Sequence, residues 1–405
     1  MKSIRPYPKV QISHKAALAV KGGHPWVFAG EVRAEGITPG EIVDCFEGNS
    51  WQGSAFYNPN SKIVLRIFSR NSNDRFDEAF WMRRISYAVN YRRTVMPGDD
   101  FKCTRLVHGE ADQMPGLTVD RYGDILSVEI ACLGMELVKE QVYKALLRTF
   151  EDMGEPISGI YERNELALRT KEGLELYKGW YKDAGIPSSP NTEIVENGIR
   201  YKVDVESGQK TGFFLDQKYN RLAASRIAEG KTVLDCFTHT GSFGLNCAYR
   251  GARHVTCVDI SESAIAMARE NCRLNGLEDK MDFMARDVFE LLTELYDKGD
   301  RRYDYIILDP PAFTKSRDTV ESAGRGYKEI NLKAMKLLPR GGYLATCSCS
   351  HFMPDELFCK MLRSAARDAG VSLRQIEARQ QAPDHPILWG VPETSYLKFY
   401  IFQVV

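Results

Sequence analysis

The sequence has no C-x-x-C pair, no G-x-G-x-x-G loop, no internal repeat, no low-complexity tract and no net charge, 54 Lys and Arg balancing 54 Asp and Glu. Each absence excludes a class of function. Without C-x-x-C, neither a zinc ribbon nor a redox dithiol is expected, and no metal site is expected. Without the dinucleotide fingerprint, NAD is disfavoured. Zero net charge gives no global argument for a nucleic-acid partner. No apolar run approaches the roughly 18 to 20 residues that span a bilayer, and the start, MKSIRPYPKV, lacks the apolar stretch of a signal peptide. A cytoplasmic location with no membrane partner is therefore expected. The ten cysteines then read as reduced thiols, most of them small buried hydrophobes.

A chain of 405 residues exceeds what one core normally supports. Patterning divides it into three expected domains, 1–72, 73–190 and 191–405. The first has short alternating runs (WVFAGEV, EIVDCF, GSAFY, KIVLRIF) broken by Gly, Pro and Asn, the pattern of a small bent β barrel. Residues 1–70 hold nine Lys or Arg against five acids, a modest excess that suits either a solvated surface or a binding face. An amphipathic helix is predicted over about 74–98. Its Arg83, Arg84, Arg92 and Arg93 can face RNA or simply solvent. The middle segment shows strands (LTVDRY, ILSVEIA, GIYER) around a helix at 135–152, a small α+β arrangement. After a hairpin-like stretch, IRYKVDVESGQKTGFFLD, strands and helices alternate regularly from TVLDCF to GGYLATCSCS. That alternation demands a parallel α/β sheet covered on both faces.

Ligands of open α/β sheets sit beyond the carboxyl ends of the strands. Here those ends carry Asp235 in VLDCFTHTGSFG, Asp259 in CVDIS and Asp287 in ARD. Asp259 can accept hydrogen bonds from both ribose hydroxyls of a nucleoside, and Asp287 from an adenine amine. Each can equally cap the helix that follows. Taken in order, with a loop turned by Gly241, they suit a nucleoside that has no phosphates and bears a sulfonium, S-adenosylmethionine. At the next strand end Asp309 precedes Pro310, Pro311 and, two residues on, Phe313. The prolines fix the backbone and remove donors, so a carboxylate and a carbonyl are held toward the crevice to grip the edge of a flat base while Phe313 stacks on its face.

These stretches, VLDCFTHTGSFG, DISESAIAMARENCRLNG, DPPAF and TCSCS, with ESGQKTGFFLDQ upstream, resemble class I SAM-dependent RNA methyltransferases. More closely the chain resembles the family of the ribosomal RNA large subunit methyltransferase I, to which KGGHPWVFAGEV, FYNPNSKIVLRIFSR and RLVHGEADQMPGLTVDRYGD also correspond. The resemblance implies a Rossmann-like methyltransferase domain, an N-terminal PUA-like β barrel that binds RNA, a small α+β middle domain, and cytosine-5 methylation of large-subunit ribosomal RNA. By position it implies cofactor contacts from Lys210, Thr211, Phe214, Asp235, Phe237, Gly241, Asp259, Ile260, Asp287 and Asp309. Many RNA cytosine-5 methyltransferases carry a second cysteine inside the D-P-P-like motif; DPPAF has none, so product release needs another base.

Carbon 5 of cytosine becomes nucleophilic only when a thiolate adds to carbon 6. Cys347 and Cys349 both stand at the end of a strand beside the crevice, and strand alternation sends both to one face. Counting from Gly341 and Gly342, the register of related active strands falls on Cys349, with Cys347 packed behind it. Asp309 would hold or protonate cytosine N3. His351 and His385 are candidate proton handlers, and Cys236, Cys247, Cys257 and Cys272 read as core. Two other readings compete: methylation of an exocyclic amine with no covalent step, and a non-catalytic RNA-binding or assembly factor. A homodimer is an open option.

Overall fold

The computed structural model describes residues 5–208, 211–314 and 317–405. They form two compact units, one of Met1–Ile194, Val203–Leu215 and Pro383–Thr394, the other of Val195–Lys202, Asp216–Ala382 and Ser395–Val405.

In the first unit, strands β1 (Lys9–Ile12), β2 (Trp26–Phe28), β3 (Val32–Arg33), β4 (Ile42–Glu47), β5 (Ser50–Tyr57) and β6 (Ile63–Ser69) make one sheet in the order β2-β6-β5-β4-β1-β3. Helix α1 (His14–Lys21), capped by Ser13, crosses it. Helix α2 (Glu78–Val95) follows, capped by the Asp77 side chain on the Phe80 N–H. A second sheet, order β11-β10-β9-β8-β7, is made of β7 (Cys103–His108), β8 (Leu117–Tyr122), β9 (Ile125–Ile130), β10 (Gly159–Asn164) and β11 (Tyr177–Trp180), with helices α3 (Leu133–Asp152) and α4 (Leu168–Lys171).

One core serves both sheets. Phe56 and Phe68 of the first stack 4.4 Å apart and meet Phe80 and Trp81 of α2. Glu172 is buried and accepts from Asn58, Ser61 and Arg66. Arg92 faces neither RNA nor solvent: it is fully buried, forked onto Asp112 at 2.5 and 2.8 Å, with further bonds to the carbonyls of Arg105 and Asp384. A guanidinium can be buried when its fork is matched in this way.

A hairpin, β12 (Asn191–Glu196) and β13 (Ile199–Asp204), comes next in the chain. Its second strand ends at Asp204, so GFFLD, expected as part of a longer hairpin, is not one of its arms. Lys210 lies outside the described residues.

The second unit has helices α5 (Lys218–Ser225), α6 (Ser242–Tyr249), α7 (Glu262–Leu274), α8 (Val288–Asp297), α9 (Val320–Leu337) and α10 (Asp355–Ala369). They cover a sheet of β14 (Thr232–Cys236), β15 (His254–Asp259), β16 (Met281–Ala285), β17 (Tyr305–Leu308), β18 (Tyr343–Ser348), β19 (Leu373–Arg379) and β20 (Lys398–Val404), ordered β16-β15-β14-β17-β18-β20-β19. The first five of that order run parallel; β20 inserts antiparallel between β18 and β19. The central strand β17, YIIL, is buried throughout, as a strand covered on both faces must be. Sheet and helices meet in a core that includes Leu234, Val258, Leu292, Ile306, Tyr327, Leu344 and Phe358. Chain reversal between β14 and β17 opens a crevice beyond their carboxyl ends.

Candidate active site

Asp235, near the end of β14, is buried, and its Oδ2 accepts the Gly244 N–H at 2.8 Å and the Thr238 hydroxyl. Burial pushes its carboxyl up to about 7, against the pull of those two donors. It thereby ties the strand to the first turn of α6. The approach is close: a Cβ on Gly244 would come within 2.4 Å of Cys257 Sγ. Between strand and helix the chain takes left-handed turns at Phe237 (φ 61°), His239 (φ 50°) and Gly241 (φ 82°). The first two are strained for residues with a side chain, a conformation typical of loops built for binding.

This loop meets the next strand end. Asp259 accepts the His239 N–H through Oδ2 and the Ser261 N–H through Oδ1, both at 2.9 Å. Ile260 beside it is 71% exposed, so its apolar face stands open to a ligand. Asp287 caps α8 with one oxygen, which accepts from Phe289 N at 2.7 Å and Glu290 N at 3.1 Å. The capping alternative thus holds for that oxygen. Two buried polar atoms of the loop region, Asp235 Oδ1 and Thr240 Oγ1, have no hydrogen-bond partner among the described residues. Acids at the strand ends, unsatisfied oxygens and a glycine-turned loop without a phosphate cradle fit a nucleoside sulfonium.

The other half of the crevice is built from side chains. Asp309 follows β17, and its Oδ1 accepts from Cys347 Sγ at 2.9 Å and Gln217 Nε2 at 3.1 Å. The Gln217 amide is oriented in turn, its Oε1 accepting from Asn220 Nδ2 at 2.7 Å. Burial raises the Asp309 carboxyl above the ordinary range, and Asp216 adds to this, while Cys347, Arg221 and Gln217 oppose it. Pro310 is buried and Pro311 exposed. Phe313 is half-buried, 4.6 Å from the Tyr327 ring and near Phe237 and Phe289, so an aromatic cluster backs its ring.

The two cysteines separate here. Cys347, within β18, is fully buried, and burial beside Asp309 pushes its thiol well above the ordinary value. It is a protonated donor that holds Asp309. Cys349, just past the strand end, retains accessible surface. The flanking residues on either side of it lead to Lys398: Ser348 pairs with Lys398 across β18 and β20, and Lys398 Nζ donates to the Ser350 carbonyl at 2.6 Å and to Tyr396 O at 2.7 Å. Burial pulls this ammonium down to about 8, opposed first by Cys349 and then by Asp355 and Cys347.

Sequence reasoning did not single out Lys398 or Gln217. Gln217 closes the FLDQ stretch and was within reach of the motif; Lys398 sits on an antiparallel strand that nothing in the parallel pattern announces. Of the remaining expectations, Cys236, Cys247, Cys257 and Cys272 are buried. His351 is exposed, with its ring 5.4 Å from Tyr396. Thr211 belongs to the first unit, where its buried hydroxyl donates to Asp120 and lies 3.2 Å from Tyr122 Oη; Phe214, half-buried, belongs there too. So does His385, buried with Nδ1 2.8 Å from Asp384 Oδ1.

Comparison with known proteins agrees with this geometry. The family model for S-adenosylmethionine-dependent methyltransferases matches residues 104–402, and that for PUA-like domains matches 10–70. A structure assigned as a SAM-dependent methyltransferase from Streptococcus mutans superposes with a TM-score of 0.82, covering 98% of this chain and 100% of that one at 21% identity; another methyltransferase structure, complexed with SAH, gives 0.84 at 21%. Fold and site therefore define a SAM-dependent methyltransferase with a PUA-like domain. Among curated relatives, the Ribosomal RNA large subunit methyltransferase I of Erwinia tasmaniensis is 39% identical, covering 94% of this chain and 96% of its own length, and that of Klebsiella pneumoniae 38%, covering 98% and 99%. The chain belongs to the ribosomal RNA large subunit methyltransferase I family, and S-adenosylmethionine is its cofactor.

Proposed function

We propose that the chain methylates carbon 5 of a cytosine in large-subunit ribosomal RNA through a covalent bond from Cys349. In this reading residues 1–72 form an RNA-binding module, 73–190 a supporting domain and 191–405 the catalytic domain. The observation that carries it is the contrast between the two thiols: Cys347 is buried and bonded to Asp309, whereas Cys349 keeps accessible surface beside the Lys398 ammonium.

S-adenosylmethionine would lie against Asp259, Asp287 and the Phe237–Gly241 loop, and when bound it supplies an electrophilic methyl on a sulfonium. The chain's own residues do the rest. Cys349 Sγ, as thiolate, adds to carbon 6; the carbon 5–carbon 6 pair shifts toward carbon 5 and the base takes a proton at N3 from Asp309, whose raised carboxyl can carry one. Carbon 5 is then the nucleophile that accepts the methyl. A base must next remove the carbon 5 proton so that the Cys349–carbon 6 bond breaks and its electron pair leaves with sulfur, while N3 gives its proton back to Asp309. DPPAF supplies no cysteine for this, and His351, exposed on a cavity of about 360 Å³ that Lys398 also lines, is the candidate. Pro310, Pro311 and the backed ring of Phe313 would position the target base.

RNA carrying 5-fluorocytosine tests the covalent step, because fluorine at carbon 5 blocks the final elimination. The wild type and Cys347→Ala should give a denaturation-resistant protein–RNA adduct, and Cys349→Ala none, with turnover on normal RNA down on the order of 10³-fold or more. Adduct formation by Cys349→Ala, or methylation by a wild type that never forms one, would overturn the assignment.

A further inference from the structure

The first unit carries a second concave surface. A cavity of about 570 Å³ is walled by the end of α1 and the turn after it, the end of β6, the α2 face and the Leu388–Gly390 loop; a smaller one of about 240 Å³ adjoins it, and both share Arg84, Tyr87 and Gln113. Its most unusual feature is Trp389, 96% exposed. A single exposed apolar side chain needs no explanation. Trp389 differs because the loop that presents it is pinned throughout. Asp384 accepts from Thr104 Oγ1 and Arg105 N at 3.0 and 2.9 Å, and its carbonyl accepts from Arg92. The Leu388 N–H donates to Thr394 Oγ1 at 2.9 Å. Gly390 meets Gly23 so closely that a Cβ on it would stand 2.9 Å from the Gly23 carbonyl carbon. The backbone on both sides of the indole is thus tied to the unit while the indole itself stands in water.

Further aromatic rings stand open on the same wall: Tyr87 is 63% and Tyr91 38% exposed, one turn apart on α2. Arginines line the larger cavity with Trp389 and Tyr87. Arg84 donates to the Phe68 carbonyl and the Gln113 amide oxygen, and Arg70 to the Val20 carbonyl, so both guanidinium groups are oriented without a carboxylate partner among the described residues. Arg83 is paired with Asp74 at 3.2 Å yet nearly half exposed. The other acids of the wall, Glu110 and Asp112, are already matched by Arg66 and Arg92. Open π faces beside oriented cations suit the bases and phosphates of a nucleic acid.

We propose that this groove binds single-stranded RNA, with a base stacked on Trp389 and the backbone tracked by Arg70, Arg83 and Arg84. The inference rests on RNA being the substrate, and it adds a contact surface distinct from the methyl-transfer crevice. The test is fluorescence anisotropy of the full chain with a labelled oligocytidylate about twelve nucleotides long. Trp389→Ala should weaken binding about tenfold and Trp389→Phe by no more than about threefold, since stacking is tolerant of the ring. Arg84→Ala should also lower the salt slope by about one, which Trp389→Ala should not. At saturating RNA, Trp389→Ala should still form the Cys349 adduct. Unchanged affinity in Trp389→Ala overturns the proposal, and unchanged affinity with altered sedimentation would assign the surface to self-association instead. A wild type that forms no adduct but binds RNA in a Trp389-dependent way would remove the covalent reading and leave this one standing.

Discussion

Asp259 and Asp309 stand at the ends of strands that both flank β14, and they are held in opposite ways. Asp259 takes main-chain N–H groups on both oxygens. Asp309 takes a thiol and a carboxamide, both side chains, on one oxygen. Backbone donors cannot move away, so they fix the orientation of a carboxylate, as the proposed grip on a ribose would require. Side-chain donors hold a carboxyl whose ionised form burial already disfavours. That group can gain and lose a proton as a base binds. The same sheet thus offers a static rim on its β15 and β16 side and a titrating one on its β17 and β18 side.

The largest break of this contrast is expected at the titrating rim. Asp309→Asn keeps the size and an acceptor but cannot give a proton. Methyl transfer should fall about 10² to 10⁴-fold, the usual worth of a general acid. Binding of S-adenosylmethionine, followed by calorimetry, should change little. Equal losses in both readouts would place Asp309 in the cofactor pocket and erase the distinction between the two rims.

That static rim was the more legible part of the sequence. Its acids, glycine turns and caps are contiguous with the strands that end there, so local pattern locates them. Asp309, Pro310 and Phe313 were equally local. Their supports were not: Gln217 reaches Asp309 across 92 residues, and Lys398 bonds to Ser350 across 48. Strand β20 also escaped the pattern, because KFYIFQV runs antiparallel after a long irregular stretch. Periodicity could not divide Cys347 from Cys349. Depth along the strand does, since the first lies inside β18 and the second beyond it. Arg92 shows the opposite error, a charge assigned to the surface that a matched acid draws inside.

Asp235 stands near the end of β14, between the two rims, and there charge should matter for stability and not for chemistry. Its folded value of about 7 lies above that of the unfolded chain. The stability it contributes is therefore complete below about pH 4 and is lost as pH rises through about 7, at a slope of up to about 1.4 kcal/mol per unit between those limits. Asparagine still offers an oxygen to Gly244 and Thr238 but cannot ionise. Urea unfolding at about pH 5 and about pH 8 should show the wild type losing a few kcal/mol more than Asp235→Asn over that interval. Parallel pH dependence in the two proteins would mean that the carboxylate is charged throughout.

A smaller effect is expected at Lys398, which tests whether the titrating rim includes Cys349. The ammonium is fixed by two carbonyls, one of them following Cys349 directly, and burial has already brought it down to about 8. It is still cationic at neutral pH, where a positive charge favours the neighbouring thiolate. Lys398→Met should move the alkylation of Cys349 by iodoacetamide to higher pH and slow it about tenfold near pH 7, while Lys398→Arg keeps the charge and most of the reactivity. Cys347, being buried, should resist the reagent in all three proteins until they unfold. Should Cys349 react along the wild-type profile after the charge is gone, the lysine serves only to close β20 onto the loop, and the thiolate must owe its reactivity to the bound RNA.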